Sequence, residues 1–355
     1  MDAFELHRQV ADRLVRTPVR IAQSPLRIAQ LLTAEPGETP YDVVLDRPTF
    51  QLRRYEPTGA DRRELPLVIV YPFINDPSIL DFAPTRSVIG GFLEAGFPVY
   101  VFEWTEASPV QRSIGLGDYV ERYLRECVDV ALGETGADEA HLLGYSTSAP
   151  VAAAYAAVHP DTLRTLILRG PPLDFDAGDA VELLRTLAIH QDLELVADVF
   201  EVVPTEVLEL ALAARKPVHY GVRDPLRLWD RLDDDAYVEE TGRKLHWLIG
   251  GPTLPVATVR DFLVDLLVEN RLIRNKLELN GRRVDLGDVV APVLLVLGRD
   301  DEFIPREASV PFLEGVSSED TEVIEFPTGH VGLSVAPQAH EEGWPRVREW
   351  LIERS

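Results

Sequence analysis

His141-Leu142-Leu143-Gly144-Tyr145-Ser146-Thr147-Ser148-Ala149 is the stretch on which the reading of this chain turns. An apolar run enters Gly-x-Ser-x-Ser and passes straight into an alanine-rich segment carrying Ala152, Ala153, Ala154, Ala156 and Ala157. That is a strand, a tight turn and a helix. Such a turn forces strained backbone angles on its central residue, so the residues two before and two after must be small, and Gly144 and Ser148 are. The central Ser146 then stands at a helix N-terminus, where free N–H groups and the helix dipole favour negative charge. A pentapeptide of this kind arises often by chance, and the competing reading is a serine capping an ordinary helix. The strand–turn–helix context favours a nucleophile.

Outward from this turn the chain alternates apolar runs with helical patterns, the signature of a parallel sheet with crossover helices. Strands are expected at Leu67–Tyr71, Val99–Phe102, His141–Leu143, Thr165–Leu168, Val293–Leu297 and Glu322–Phe326. Helices are expected at Arg86–Ala95, Asp118–Leu132 and Thr147–Val158. Two short strands, Asp42–Asp46 and Thr49–Tyr55, precede them across a turn at Arg47-Pro48. After Pro172 the rhythm breaks into amphipathic helices such as Val181–Leu195 and Val259–Leu272. The expected fold is α/β, an α/β-hydrolase fold: a mostly parallel, doubly wound sheet with an inserted helical cap. The expected division is an N-terminal helical segment (1–40), the first part of the core (41–172), the cap (173–290) and the rest of the core (291–355).

Composition narrows the function. At 355 residues and 46% apolar, the chain can bury one large core with an insertion. No run approaches the roughly eighteen apolar residues of a membrane helix, and Met1-Asp2-Ala3-Phe4-Glu5 lacks the basic and apolar regions of a signal peptide. A soluble, cytoplasmic protein is expected. Acidic residues number 59 against 35 basic ones, a formal charge of −24, which disfavours nucleic acid and anionic membranes as partners. Of the basic residues only Lys216, Lys244 and Lys276 are lysines. This balance looks like adaptation to a salt-rich cytoplasm, where molar salt cuts the screening length to about 3 Å; the alternative is an ordinary acidic protein from a GC-rich genome. The single Cys127 excludes intrachain disulfides and cysteine-based zinc sites, and no clustered histidines suggest another metal.

A serine hydroxyl attacks only when a base takes its proton, and the base needs an orienting carboxylate. In this fold the chain order is nucleophile, acid, histidine. The apolar strand to Leu297 is followed by Gly298-Arg299-Asp300-Asp301-Glu302, and the next strand by Pro327-Thr328-Gly329-His330. The other histidines fit worse: His141 lies in a strand, His159 ends a helix, and His190, His219 and His246 fall in the cap. A second oxyanion donor should come from the loop Pro72-Phe73-Ile74-Asn75-Asp76-Pro77.

At these residues the chain resembles the class III polyhydroxyalkanoate synthase catalytic subunit, an α/β-hydrolase acyltransferase that polymerises hydroxyacyl-CoA. The resemblance runs from about Gly37 to Trp350. It rests on Gly37-Glu38-Thr39-Pro40, the run from Val70 to Asp81, Asp118-Tyr119-Val120, His159-Pro160-Asp161, the run from Gly281 to Leu286, and that from Phe326 to Gly332. It implies Ser146 as nucleophile, Asp301 as acid and His330 as base, with the backbone N–H groups of Ile74 and Thr147 as oxyanion hole. It implies no cofactor, the CoA thioester being substrate. The implied partners are a hydroxyacyl-CoA or ester substrate, a small second synthase subunit and a second copy of the chain, with the polyester granule surface as location. This chain departs from the family pattern at three places. Cysteine is usual where Ser146 stands, glycines where Ser148 and Ala149 stand, and histidine in many members where Glu302 stands. Cys127 sits on an apolar helix stripe with Val120 and Leu124 and reads as packing.

Three functions follow from these residues: a synthase-type acyltransferase, a serine hydrolase of acyl-CoA thioesters or short polyesters, and a non-catalytic paralogue that binds a synthase or a granule. The complete Ser-Asp-His set argues against the last.

Overall fold

The computed structural model describes residues 24–177, 200–205, 207–208, 224–248 and 251–355. The expected helix Val181–Leu195 and the histidines His190 and His219 lie outside them. Eight strands form one sheet: β1 (Asp42–Arg47), β2 (Phe50–Tyr55), β3 (Leu67–Val70), β4 (Val99–Trp104), β5 (Ala140–Tyr145), β6 (Leu163–Arg169), β7 (Val293–Gly298) and β8 (Thr321–Phe326). Their spatial order is β1-β2-β4-β3-β5-β6-β7-β8. The first two pairings, β1 with β2 and β2 with β4, are antiparallel and the rest parallel. Every residue of β3, β4 and β5 is buried, which is why these strands, apart from Glu103 and His141, read as apolar runs rather than alternating ones.

The order reverses between β3 and β5. After β3 the chain crosses to β4 on one side, and it returns to add β5 on the other, with Val70 opposite Gly144. The loops leaving β3 and β5 therefore emerge side by side at a switch point, where open α/β sheets bind ligands.

Helix α1 (Val88–Glu94) connects β3 to β4, and a helical run α2 (residues 116–135) connects β4 to β5. The expected start of the first helix at Arg86 is early by two residues: Arg86–Ser87 pair with Asp81–Ala83, and the Ser87 hydroxyl caps the helix by accepting from Gly90 N–H at 2.7 Å. The second is widened into π turns over Tyr119–Tyr123 and stops at Gly136, whose φ of 74° closes it on Leu132. Helix α3 (Ala149–Val158) is buried along its whole length, which goes with its alanines: it must sit close to the sheet. The helix expected at Val259–Leu272 starts earlier, at Val256, widens over Phe262–Val268, and ends before Asn270. Asn270 takes φ 51° and ties its amide to Asp174, Asp176 and Phe175 N–H, which draws the chain out of helix. Helix α4 (Trp344–Ile352) packs against α1 through a Phe92–Trp344 edge contact.

Of the described residues, 24–36 and 224–248 make one compact unit, and the sheet with the remaining residues makes the other. The sequence places a cap at 173–290, yet residues 251–290 cluster with the sheet, while 224–248 cluster with 24–36. Cys127 is fully buried beside Leu124 and Val128, and burial pushes its thiol pKa well up, in keeping with a packing role.

His141 lies in the middle of the sheet, fully buried, with Nδ1 2.8 Å from Thr165 Oγ1 and Nε2 3.1 Å from Ser355 Oγ. Burial drives its pKa down to about 3. Protonation therefore favours the unfolded chain, and stability falls as the pH drops below the ordinary histidine value of roughly 6.5. Between pH 7 and pH 5 this group should remove about 2 kcal/mol. The His141→Gln variant, measured by denaturant unfolding at matched salt, should lose correspondingly less stability over that interval than the parent.

Candidate active site

Ser146 follows the last residue of β5 and adopts φ 48°, a left-handed conformation that non-glycine residues avoid. The turn is held by close approach of α3 to the strand. A Cβ on Gly144 would lie 2.6 Å from Ala152 Cβ and 2.9 Å from Ala149 Cα, so only glycine fits there. The geometry is the one the sequence required of a nucleophile turn.

The loops after β7 and β8 bring the two partners in. A Cβ on Gly298 would meet Thr328 O at 2.5 Å, so these loops press together at their bases. His330 Nδ1 is 2.6 Å from Asp301 Oδ2, and its Nε2 is 2.8 Å from Ser146 Oγ. The other carboxylate oxygen of Asp301 accepts from Phe303 and Ile304 N–H, each at 2.9 Å. Burial raises the Asp301 pKa, but the His330 ring and these donors outweigh it and hold the carboxyl below its ordinary value. An ionised carboxylate only accepts. Nδ1 must then carry the proton, which leaves Nε2 of the neutral ring to accept from the Ser146 hydroxyl. Of the two adjacent aspartates, Asp301 is buried and Asp300 exposed, its main-chain N–H bonded to Thr328 O at 3.1 Å.

The loop expected to supply the second oxyanion donor is tied to the same turn. The Tyr71 carbonyl accepts from Trp104 Nε1 and from Ser148 Oγ, both at 2.8 Å. The hydroxyl that departs from the family's glycine thus links the nucleophile turn to the start of the loop carrying Ile74. Asn75, buried and at φ 65°, turns that loop sharply just beyond Ile74. Thr147 occupies the first helical turn, whose N–H groups lack carbonyl partners one turn back. Sequence reasoning missed the Ser148–Tyr71 contact, because it joins the segments that follow two different strands. It also missed Arg169, a charged residue closing the apolar strand β6, and Gly170 beside it.

The remaining described histidines stand elsewhere. His159 Nδ1 is 3.5 Å from Arg125, His340 Nε2 is 2.6 Å from Ser334 O, and His246 lies in the helix Asp235–Leu248 of the smaller unit. Among the described residues no group of three or more His, Cys, Asp or Glu side chains is disposed to hold a metal, and no helix is long and apolar enough to cross a membrane.

Comparison with known proteins matches residues 80–337 to the alpha/beta hydrolase fold and residues 18–92 to the poly-beta-hydroxybutyrate polymerase (PhaC) N-terminus. The chain is 37% identical to the poly(3-hydroxyalkanoate) polymerase subunit PhaC of Haloferax mediterranei, over 99% of this chain and 72% of the relative. The chain belongs to the PhaC family. The PhaC subunit of Haloarcula marismortui is 36% identical over 93% of this chain and 71% of its own length, and that of Allochromatium vinosum 32% over 91% and 92%. The first two sources agree with the salt-adapted reading of the acidic composition. Among solved structures, a monoglyceride lipase of Saccharomyces cerevisiae superposes with a TM-score of 0.55 at 12% identity, covering 91% of this chain and 97% of the lipase. A carboxylesterase of Nitrososphaera gargenis gives 0.51 at 17%, covering 89% and 98%. At these identities the structures bear on the fold alone, which is the α/β-hydrolase fold that PhaC proteins share with lipases.

These contacts make separable claims about two neighbouring aspartates. Asp301→Asn should slow covalent labelling of the protein by a fluorophosphonate about 10,000-fold, the scale of losing the orienting carboxylate. Asp300→Asn should leave the labelling rate within about threefold, since an exposed carboxylate touches neither partner. Ser148→Ala should keep labelling while lowering unfolding stability by about 1 kcal/mol, the worth of one buried hydrogen bond.

Proposed function

We propose that this chain is an acyltransferase that loads the hydroxyacyl group of a hydroxyacyl-CoA onto Ser146 and passes it to the hydroxyl end of a growing polyester. The observation that carries the reading is the Ser146–His330–Asp301 chain of contacts, at 2.8 and 2.6 Å, in a PhaC-family chain. Ser146 Oγ attacks the thioester carbonyl as His330 Nε2 takes its proton. The C–S bond breaks, and the CoA thiol leaves with the proton from His330. A chain-end hydroxyl then attacks the serine ester, gives its proton to His330, and Ser146 Oγ recovers it as the acyl group departs. The Ile74 and Thr147 N–H groups face the oxyanion formed in each half.

Serine changes the energetics of the second half. With cysteine, loading exchanges one thioester for another, and the bound chain stays activated. With Ser146 the acyl-enzyme is an ordinary ester: loading is downhill, transfer to a hydroxyl is close to isoenergetic, and water competes. That chemistry supports a second reading, a serine hydrolase of acyl-CoA or short polyester on the same residues. A small second subunit and work at the granule surface accompany the first reading, in line with relatives that are themselves named subunits.

Incubation with 3-hydroxybutyryl-CoA in high salt, with CoA and polymer measured separately, distinguishes the readings. Polymer is the expected product; CoA with free acid alone would select the hydrolase, and neither product would leave a binding paralogue. Ser146→Ala should abolish both CoA release and fluorophosphonate labelling. Ser146→Cys, which restores a thioester intermediate, should raise the ratio of polymer to free acid even where total turnover falls.

A further inference from the structure

Arg169 closes β6 and is 1% exposed, a cation in the interior behind His330. Its Nη2 donates to the His330 carbonyl at 2.6 Å and to Ser334 Oγ at 3.1 Å. The guanidinium carbon lies 3.8 Å from the centre of the Tyr145 ring, the residue just before Ser146. The Tyr145 hydroxyl is in turn 3.2 Å from Ser334 Oγ, so one closed set of contacts joins the nucleophile turn to the histidine loop. Among the described residues, Nε and Nη1 of Arg169 have no hydrogen-bond partner, and no carboxylate pairs with it directly. A buried cation without an ion pair is costly, and an apolar side chain of the same size would pack there at less expense. Local stability therefore does not account for its presence.

Gly170 adds a second constraint. It follows Arg169 at φ 54°, with its N–H bonded to Val296 O at 2.8 Å. A Cβ built on it would fall 2.8 Å from His330 Cε1 and 3.1 Å from Nδ1. The bare backbone of Gly170 is thus the surface on which the imidazole rests, while Arg169 holds the main chain of the same residue.

We propose that Arg169 and Gly170 are positioning residues for His330: the guanidinium fixes the histidine's backbone and the glycine seats its ring, so that Nε2 meets Ser146 while Nδ1 keeps Asp301. Neither residue touches the reacting atoms. The inference rests on the reading of His330 as the base, and it adds a requirement from β6, a strand that carries none of the three reacting side chains.

The test uses the full-length protein in high salt and the fluorophosphonate probe. Arg169→Met removes the donor and keeps the volume. Its maximal labelling rate per active molecule should fall about 100-fold, the penalty for a reacting group displaced by about 1 Å, while the half-saturating probe concentration stays within about twofold. The downfield NMR resonance of the His330 Nδ1 proton should shift or vanish. Arg169→Lys, which can still reach the carbonyl, should recover about tenfold of the rate. A purely structural role would lower melting temperature or active fraction and leave the rate per active molecule unchanged. A folded Arg169→Met protein with parental labelling rate and an unmoved resonance would overturn the proposal. Should that variant not fold, Gly170→Ala carries the same test, since its methyl must displace the ring; unchanged labelling and resonance there would also overturn it. If the parent itself is not labelled at Ser146, the reading of Ser146 as nucleophile fails, and the resonance alone then decides whether Arg169 and Gly170 seat His330.

Discussion

The closeness of α3 to β5 is the constraint on which the rest depends. A non-glycine residue at φ 48° carries a strain of order 1–3 kcal/mol, and Ser146 keeps it only because its surroundings allow no relaxed path. Gly144 lets the helix descend until nothing larger than hydrogen separates strand from helix, and the alanines of α3 keep it there. A bulkier residue at either place would lift the helix and relax the turn. From that contact the architecture extends outward. β5 needs β3 and β6 as neighbours to bury it, β3 brings the loop of Ile74, and β6 brings the seat of His330.

Much of this was legible in the sequence because it is local. Each strand of the sheet core is an apolar run with a turn at its end, so Ser146, Asp301 and His330 could be placed by the order of strands alone. What escaped depends on contacts between residues far apart in the chain. Ser148 meets Tyr71 across a strand boundary, and Arg169 meets His330 across 161 positions. Nothing in the run Leu166-Ile167-Leu168-Arg169 announces that its last side chain turns inward, since an arginine ending a strand usually reaches solvent. Helix limits failed for a different reason: Ser87 and Asn270 act through side-chain bonds to backbone or to distant carboxylates, which periodicity does not register. Residues 24–36 and 224–248 cluster together although nearly two hundred positions separate them, a pairing that local pattern does not register.

The charge distribution has two regimes. On the surface, pairs such as Arg354–Asp320 and Arg306–Glu325 join partly exposed side chains, and each contributes little to stability. With every basic residue counted, the chain still carries a net charge of −24, so the fold tolerates its own repulsion best where salt screens it. In the interior the regime reverses. Asp301 and Arg169 are buried with opposite charges within reach of each other's field, though no hydrogen bond joins them. External salt screens such buried charges poorly, so the electrostatics of the site persist under conditions that neutralise the surface.

On the proposed reading, serine at the turn shifts the burden of synthesis from chemistry to geometry. A thioester intermediate stores the activation of CoA until the next hydroxyl arrives; a serine ester has spent it. In the cycle proposed for Ser146, chain growth must then win by selecting which hydroxyl reaches the ester, since hydrolysis is downhill while transfer to an alcohol is close to isoenergetic. In that proposed cycle the same base serves both halves, taking a proton from Ser146 in the first and from the incoming alcohol in the second. A ring held at its main chain by Arg169, seated on Gly170 and hydrogen-bonded through Nδ1 to Asp301 presents Nε2 in one direction only. A base fixed in this way deprotonates whichever hydroxyl is held beside the serine ester, so on the proposed reading the choice of chain end over water falls to the groups that align the chain end there.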